Sequence, residues 1–169
     1  MKAVISKHGN SWTGILLNEG KLFNTYYSIN NREEAALYFS KIAKKEVEIE
    51  EREHPIIDAI NGIVDGTSFD LPKIDFDFSG FTNNEISVLK ELLKVPAGEV
   101  VSYGELAKRV GIPYGARFVG NVMMKNRFGP IVPCHRVILS NGKLGKFAGR
   151  SNHPMKRRLL EQENAKFKD

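Results

Sequence analysis

The chain has 169 residues, of which 41% are hydrophobic and 27% charged, and its formal net charge at pH 7 is +5. This length and composition indicate a globular protein of one domain or two small ones. The single cysteine excludes an intramolecular disulfide and a cysteine-cluster zinc site, and it favours a reducing compartment. Because the start turns polar too early for a signal peptide and no apolar run could span a membrane, we expect a cytoplasmic protein without membrane contact.

The positive charge is concentrated in the C-terminal half. Residues 80–169 contain 16 Lys and Arg against 7 Asp and Glu, whereas residues 1–79 contain 9 against 13. A basic half joined to an acidic half indicates that one of them meets a polyanion. A solvated surface rich in lysine is the alternative, and charge alone does not separate the two.

The first 79 residues predict a small α/β domain built on an antiparallel sheet. Apolar-rich runs at 3–6, 13–17 and 22–27 are separated by sequences typical of tight turns, so they predict a three-stranded meander. An acidic run at 46–53, in which apolar residues alternate, is compatible with a further short strand.

Two helices are predicted in the same domain. Asn30 with Glu33 marks the start of the first helix, which has an apolar face. Pro55 suits the first turn of the second helix, and Gly66 ends it. We find no catalytic constellation among the carboxylates and histidines of this half.

A linker or edge segment at 67–80 follows, and its phenylalanines indicate that it packs down. We place the domain boundary near Gly80. The sequence therefore predicts a two-domain α/β protein, with an N-terminal α/β domain at 1–79 and a mostly helical C-terminal domain at 80–169.

The C-terminal domain begins with two signals for the start of a helix. Thr82 with Glu85, and Ser102 with Glu105, have the spacing of a capping box, in which side chain and backbone satisfy each other's unpaired groups. A third helix is predicted from about residue 114 to 125, after a tight turn that contains glycine and proline.

The second and third of these helices fit a helix-turn-helix pattern. In such a unit the second helix enters a groove of DNA and the first crosses the backbone. An ordinary helical hairpin is the commoner meaning of this pattern alone. Here Ala116 and Gly120 are small enough for close approach and Arg117 lies between them, which favours DNA.

Cys134 is the candidate nucleophile. It follows an apolar run at 129–132, which predicts a buried strand or extended segment. From composition, a lone cysteine in such surroundings is more often a small buried hydrophobe. Pro133 places the thiol on shaped backbone, and the adjacent His135 and Arg136 favour the reactive thiolate. On an extended segment His135 would reach the thiol through a water or by way of a bend.

The last helix is predicted from near Pro154, with strongly basic first turns. Glu163 at its end is one of only two carboxylates between Leu106 and Ala165. One of the two can face inward to the site. On local sequence, however, Glu163 is better explained as a solvated surface charge.

Taken together, the C-terminal motifs resemble the O6-alkylguanine-DNA alkyltransferases, direct-reversal DNA repair proteins often called methylguanine methyltransferases. The similarity runs from about Phe81 to Glu163, and its most specific part is the Pro-Cys-His-Arg sequence behind the helix-turn-helix. The segments that carry it are Val101-Ser102-Tyr103, Ala116-Arg117-Phe118-Val119-Gly120, Asn126, Pro133-Cys134-His135-Arg136-Val137, residues 142–149, and Lys156 with Leu159-Leu160. The family implies a ribonuclease H-like N-terminal domain and a winged-helix-like helix-turn-helix in the C-terminal one.

The resemblance implies a catalytic group around the thiol. Cys134 would accept the alkyl group, and His135, through a water and with Glu163 behind it, would help to remove the thiol proton. Tyr103 would donate a hydrogen bond to a ring nitrogen of the departing guanine. The backbone carbonyls of Cys134 and Val137 would accept from the exocyclic amine of the base.

The resemblance also implies contacts with DNA. Arg117, on the recognition helix between Ala116 and Gly120, would fill the space left by a flipped nucleotide. Asn126 would brace the turn between that helix and the active site. Lys156 would assist from the last helix.

Two positions depart from the pattern of the family. Phe147 stands where some relatives carry tyrosine, and Ala148 stands where some carry serine. The backbone amide of Ala148 can still donate to the guanine oxygen, but an additional hydroxyl contact from Phe147 is lost. A related branch of non-enzymatic binding proteins lacks the cysteine, and Cys134 excludes that branch.

The expected function is therefore direct-reversal DNA repair. The alkyl group of O6-alkylguanine in double-stranded DNA would pass irreversibly to Cys134, with base flipping, no cofactor and a monomeric protein that is consumed in one turnover. Two other classes are weighed against it. A non-catalytic DNA-damage-binding or regulatory helix-turn-helix protein predicts binding without methyl transfer, and a cysteine hydrolase predicts turnover of esters or peptides.

Overall fold

The structure is a computed structural model that describes residues 1–151 and 153–169. It divides the chain into two compact units, Met1–Ser79 and Gly80–Asp169. Each unit has its own elements and its own buried side chains. None of the helices formed by the described residues has both the length and the apolar character needed to cross a membrane.

The first unit is a four-stranded sheet with two helices. Its elements are β1 (Lys2–His8), β2 (Ser11–Asn18), β3 (Lys21–Ile29), α1 (Arg32–Ala43), β4 (Glu48–Glu51) and α2 (Pro55–Asp65). The strand order is β3-β2-β1-β4, so the predicted meander is present and the acidic run does form a strand. The sheet is mixed, however, and not antiparallel throughout, because β4 pairs in parallel with β1. The chain leaves β3 at one edge, passes through α1 and reaches the other edge, a crossover that sets a parallel strand beside β1.

A helix covers each face of this sheet. Successive residues of β2 point to opposite faces, so two adjacent residues show which helix lies on which side. Gly14 lies under α1, where a Cβ atom would come within 2.7 Å of the Phe39 ring. On the other side the Thr13 hydroxyl donates a buried hydrogen bond of 2.6 Å to the Asn61 side chain of α2. One helix therefore packs on each face.

The first helix begins one residue later than predicted. The side chain of Asn31 accepts from the backbone amide of Glu34 at 2.8 Å and so caps α1. Asn30 instead donates its side-chain amide to the Glu34 carboxylate at 2.7 Å. The start and end predicted for α2 are correct: Pro55 is its first residue, and Gly66 closes it with a φ of +71°.

The segment at 67–79 packs on the sheet edge, as its phenylalanines predicted. The Leu22 amide donates to Asp75 at 2.7 Å, and the Asp77 amide donates back to the Leu22 carbonyl at 2.8 Å. Phe76 between them forms an isolated parallel bridge with β3.

The second unit is mostly helical. Its elements are α3 (Asn83–Leu92), β5 (Val101–Ser102), α4 (Tyr103–Arg109), α5 (Ala116–Lys125), a 3-10 turn (Cys134–Arg136), β6 (Val137–Ile138), β7 (Lys146–Phe147), β8 (Arg150–Ser151) and α6 (Pro154–Gln162). The capping box of α3 is complete, and Ser102 caps α4 by accepting from the Glu105 amide at 3.0 Å. Helices α4 and α5 pack together as a helix-turn-helix, and α3 packs against both.

Two predicted boundaries in this unit are wrong. Helix α5 begins at Ala116 and not near residue 114, because Tyr114 has a φ of +65° that no α-helix allows. The run at 129–132 is a buried turn and not an extended segment. It is closed by the Val132 amide, which donates to the Phe128 carbonyl at 3.0 Å.

Two small ladders position the segment around Cys134. Strands β5 and β6 run parallel, with Val101 opposite Val137 and Ser102 opposite Ile138. Strands β7 and β8 form an antiparallel pair. Residues on either side of β5 and β6 are thereby brought together from parts of the chain more than 30 positions apart.

Candidate active site

Cys134 is half-buried and lines a cavity of about 630 Å³ within the second unit. The wall of this cavity is built by the start of α4, one side of α5 along most of its length, the 3-10 turn, residues 139–140 after β6 and the β7–β8 hairpin. Seven of the twelve site residues predicted from sequence line it: Tyr103, Ala116, Arg117, Gly120, Cys134, Phe147 and Ala148. The other five lie elsewhere in the unit, and each is hydrogen-bonded to another of the five or to a segment that forms this wall: His135, Glu163, Asn126, Val137 and Lys156.

Sequence reasoning missed part of the cavity lining. Met124 is 70% exposed and Leu139 is 41% exposed, although both are large apolar residues. Met123 also lines the cavity. Leu139 directly follows β6, as Tyr103 directly follows β5. The position of Leu139 in the cavity could therefore have been predicted only from the pairing of these two strands, which no local sequence pattern indicates.

His135, Arg136 and Glu163 form a buried network behind the thiol. Glu163 Oε1 lies 2.8 Å from His135 Nε2 and accepts from Arg136 Nη2 at 2.8 Å. Its Oε2 accepts from Arg136 Nε at 2.9 Å and from the Gly98 amide at 3.3 Å. The guanidinium also donates to the Val95 carbonyl at 2.6 Å.

The reading of Glu163 as a surface charge is wrong. Glu163 is the C-terminal cap of α6 and is buried beside His135. Burial by itself would raise the pKa of its carboxyl group, but hydrogen bonds from His135 and Arg136 outweigh this and lower the pKa to about 2. The carboxylate is therefore ionised at neutral pH.

The ionised carboxylate determines the tautomer of His135. Because Glu163 can only accept, the imidazole Nε2 carries the proton and donates it to the carboxylate. Nδ1 is buried and has no hydrogen-bond partner within the described ranges. Burial lowers the pKa of His135, so the ring is neutral at pH 7 and Nδ1 presents a lone pair.

The thiol is protonated in the resting protein. Burial raises the pKa of Cys134, while a hydrogen bond from Asn126 and the charge of Lys156 act in the opposite direction. The expectation that the adjacent Arg136 favours the thiolate is wrong, because its guanidinium donates to Glu163 and Val95. A proton must leave Cys134 before the sulfur becomes a strong nucleophile.

Lys156 is fully buried without a carboxylate partner among the described residues. Its ammonium donates to the Val137 carbonyl at 2.5 Å and to the Lys146 carbonyl at 3.3 Å. Burial lowers its pKa to about 8. The Tyr103 hydroxyl donates to the same Lys146 carbonyl at 3.4 Å, so Lys156 and Tyr103 both hold strand β7.

Asn126 joins the end of α5 to the segment that leads to Cys134. Its side-chain amide donates to the Val132 carbonyl at 2.9 Å, and its side-chain oxygen accepts from the Phe128 amide at 3.0 Å. The same side chain hydrogen-bonds the Cys134 thiol. One amide therefore fixes the turn and also contacts the sulfur.

The remaining predicted residues lie at the mouth of the cavity. Ala116 and Arg117 are exposed at the start of α5, and a Cβ atom on Gly120 would meet only open space. Across the cavity, the half-buried Phe147 packs its ring edge-on against His153 with centroids 5.3 Å apart. Ala148 is exposed with a φ of +48°, at the tip of the β7–β8 hairpin.

Comparison with known proteins agrees with this geometry. Residues 83–165 match the model of the 6-O-methylguanine DNA methyltransferase, DNA binding domain. A methylated-DNA–protein-cysteine methyltransferase of Mycobacterium bovis is 42% identical over 112 residues, which cover 65% of this chain and 64% of that protein. The chain thus spans just under two thirds of the length of this curated relative.

The similarity to solved structures extends over nearly the whole chain. A crystal structure of Mycobacterium tuberculosis OGT in complex with DNA is 28% identical, covers 97% of this chain and 93% of its own, and superposes with a TM-score of 0.72. The O6-methylguanine-DNA methyltransferase of Pyrococcus kodakaraensis shares the fold, with a TM-score of 0.70 over 96% of this chain and 99% of its own, at 23% identity. The chain is therefore similar to the methylated-DNA–protein-cysteine methyltransferases, in the sequence of residues 83–165 and in the fold of nearly the whole chain.

Proposed function

We propose that this protein repairs O6-alkylguanine in double-stranded DNA by taking the alkyl group onto Cys134 in one irreversible turnover. The observation that carries the proposal is the arrangement behind the thiol, where His135 is oriented by Glu163 and its Nδ1 has no hydrogen-bond partner in the part of the chain that the structure describes. A nucleophile, a base and a group that orients the base are what covalent transfer requires. The names of the related proteins support the same reaction.

The proposed reaction balances without a cofactor. The thiol proton passes to Nδ1 of His135, through a water, and the Cys134 sulfur attacks the alkyl carbon. The new S–C bond forms as the bond between the alkyl carbon and O6 breaks, and the electron pair of that bond stays on guanine. Guanine takes up one proton, which balances the one lost by the thiol, and Tyr103 stabilises the leaving base by donating to a ring nitrogen.

The proposal includes base flipping, because a base that stays stacked in a duplex cannot present its O6 to a thiol that lines a cavity. Flipping a nucleotide costs a few kcal/mol. Phosphate contacts along the basic unit offset part of this cost. Arg117, between Ala116 and Gly120, is exposed at the mouth and fills the vacated space in the proposed complex.

Backbone groups would recognise the flipped guanine. The Val137 carbonyl accepts from Lys156 and keeps one lone pair for the exocyclic amine of the base. The amide of Ala148, at the tip of the β7–β8 hairpin, donates to the guanine oxygen. Phe147 offers an apolar ring without a hydroxyl group at the same wall.

Alkylation of Cys134 to a thioether would end the activity of the molecule. Cys134 is the only cysteine in the sequence, so no second thiol can resolve the alkylated product. We therefore propose a stoichiometric protein that is consumed by repair.

The finer assignments of the fold belong to the same proposal. Residues 80–169 act as the DNA-binding and alkyl-transfer domain, with the β7–β8 hairpin as the wing of a winged helix-turn-helix. Residues 1–79 have a ribonuclease H-like shape, which is supported by a mixed sheet with a helix on each face. A monomer in the reducing cytoplasm suits a protein whose function depends on one free thiol.

The test is stoichiometric transfer measured on the intact protein. The protein is mixed at equal concentration with a duplex that contains one O6-methylguanine, and its mass is recorded. We expect a gain equal to one methyl group replacing one hydrogen, absent from Cys134→Ala, while Cys134→Ala still binds the duplex. A second addition of the duplex should give no further gain.

Tight binding of the duplex without any gain in mass would contradict the repair function. It would instead support the non-catalytic damage-binding protein. A gain that persists in Cys134→Ala would place the modification on another residue.

A further inference from the structure

Tyr114 is the fully exposed aromatic residue in the turn between α4 and α5, with a relative exposure of 102%. It does not line the cavity that contains Cys134. Its ring therefore contributes neither to the core nor to the reaction described above.

The backbone at Tyr114 makes a side chain costly. Its φ of +65° lies in the left-handed region, where glycine is favoured over any residue that has a Cβ atom. A fully exposed ring gains no packing that would offset this cost. The chain nevertheless places a large aromatic side chain at this position, although glycine occupies the next one.

The turn holds Tyr114 in place. The Gly115 amide donates to the Ile112 carbonyl at 3.0 Å. A Cβ atom on Gly115 would lie 2.7 Å from that carbonyl oxygen and 2.6 Å from Ile112 Cγ2, so only glycine closes the turn. The ring is thus presented from a fixed backbone directly before the recognition helix.

Exposed cations lie close to Tyr114 in the sequence, on both sides of it. Arg117, three residues later, is exposed at the cavity mouth, and Lys108 is exposed in the last turn of α4. An exposed aromatic ring accompanied by cations is a combination with which proteins bind nucleic acids, because the ring stacks on a base or sugar while a cation such as Lys108 neutralises a phosphate.

We propose that Tyr114 is a DNA contact of this protein, with its ring packed on a base or deoxyribose of the duplex beside the flipped nucleotide. The inference rests on the proposed function, because that function brings DNA to the mouth of the cavity at α5. A ring contact releases no counterions, so it adds affinity without adding to the salt dependence of binding.

The test is the affinity of Tyr114→Gly, Tyr114→Phe and the unchanged protein for an unmodified duplex at several salt concentrations. We expect Tyr114→Gly to bind at least about fivefold more weakly than the unchanged protein, which is the lower end of the range for the loss of one stacking contact. The slope of log Kd against log salt concentration should stay the same. Tyr114→Phe should bind within about twofold of the unchanged protein, since it keeps the ring. Tyr114→Gly should melt at no lower temperature, because glycine suits this φ.

Two control variants calibrate the measurement. Lys108→Ala should weaken binding and reduce the salt slope by about one. Leu71→Ala removes another exposed apolar side chain, in the first unit, and should leave DNA affinity unchanged. Equal affinity of Tyr114→Gly and the unchanged protein, or a weakening that high salt abolishes, would overturn the inference.

The experiments distinguish a failure of the role proposed for Tyr114 from a failure of the proposed repair function. Methyl transfer by the unchanged protein with full affinity in Tyr114→Gly overturns only the role of Tyr114. Weakened binding in Tyr114→Gly without any methyl transfer by the unchanged protein overturns only the repair function.

Discussion

Arg136 and Glu163 are joined by two buried hydrogen bonds, Nε to Oε2 at 2.9 Å and Nη2 to Oε1 at 2.8 Å. The same Oε1 lies 2.8 Å from Nε2 of His135. The guanidinium thus fixes the carboxylate that orients the imidazole. A residue that does not line the cavity therefore sets the direction in which the proposed base faces.

Replacing Arg136 with alanine should destabilise the protein strongly. The variant leaves the Glu163 carboxylate buried without its main partner, and breaking a buried pair in this way costs about 3–5 kcal/mol. Urea unfolding at pH 7 measures the change. The matched control is Glu91→Gln, which breaks the surface pair with Lys94 and should change stability little. Equal midpoints for the two variants would contradict the structural role given to Arg136.

The low pKa of Glu163 predicts a loss of stability in acid. The unfolded chain takes up this proton near the ordinary pKa of 4.5, whereas the folded protein takes it up only near pH 2. Stability from this group is therefore fully present above about pH 4.5 and is lost as the pH falls to about 2. The expected loss is on the order of 3 kcal/mol. Glu163→Gln, studied by urea unfolding across this range, should lack that contribution, and an unchanged pH profile would argue against it.

Replacing Lys156 with methionine should stabilise the protein and slow the reaction. Because the folded pKa of Lys156 is about 8 and the ordinary value is 10.5, burial of the ammonium costs stability at all pH values below about 8. This cost fades as the pH rises towards 10.5. Lys156→Met should therefore melt higher than the unchanged protein at pH 7, with a smaller difference at pH 10, while methyl transfer slows because strand β7 loses its tie to Val137.

A Lys156→Met protein that melts lower than the unchanged protein at pH 7 would contradict this balance. It would mean that the two orphaned carbonyls, of Val137 and Lys146, cost more than the buried charge. Lys156→Arg is the matched control, because it keeps the charge but changes the shape of the donor.

The thiol of Cys134 should titrate above the usual range for cysteine. Burial raises its pKa, and the hydrogen bond from Asn126 limits the rise. Asn126→Ala should therefore shift the appearance of thiolate, followed by ultraviolet absorbance, to still higher pH. Asn121→Ala is the control, since Asn121 lines the same cavity but is not among the groups that shift this pKa. An identical titration in the two variants would show that Asn126 does not stabilise the thiolate.

Local sequence signals predicted the elements that carry their own caps and turns. The capping box of Thr82 and Glu85 and the Gly66 that ends α2 depend on residues three or four positions apart, so a pattern identifies them. Asn30 and Asn31 have the same side chain, and only the backbone at each position decides which one caps α1. The error of one residue there follows from that ambiguity.

Local sequence signals did not predict the contacts between residues far apart in the chain. Glu163 and His135 are 28 positions apart, and nothing near Glu163 distinguishes it from a solvated carboxylate. The parallel pairing of β4 with β1 likewise depends on where α1 sends the chain. Cys134 and Tyr103 were identified because the family motif links them, although periodicity alone would not have brought them to one cavity.

The pairing of the two-residue strands β5 and β6 limits where residues can be inserted into the segments next to them. Tyr103 follows one strand directly, and Cys134 lies three residues before Val137, the first residue of the other. One residue inserted between Cys134 and Val137, or between Ser102 and Tyr103, would move a reacting group by one position against its partner. Insertions after Leu139 leave this spacing intact. At the centre of the site the number of residues is therefore constrained as strictly as their identity.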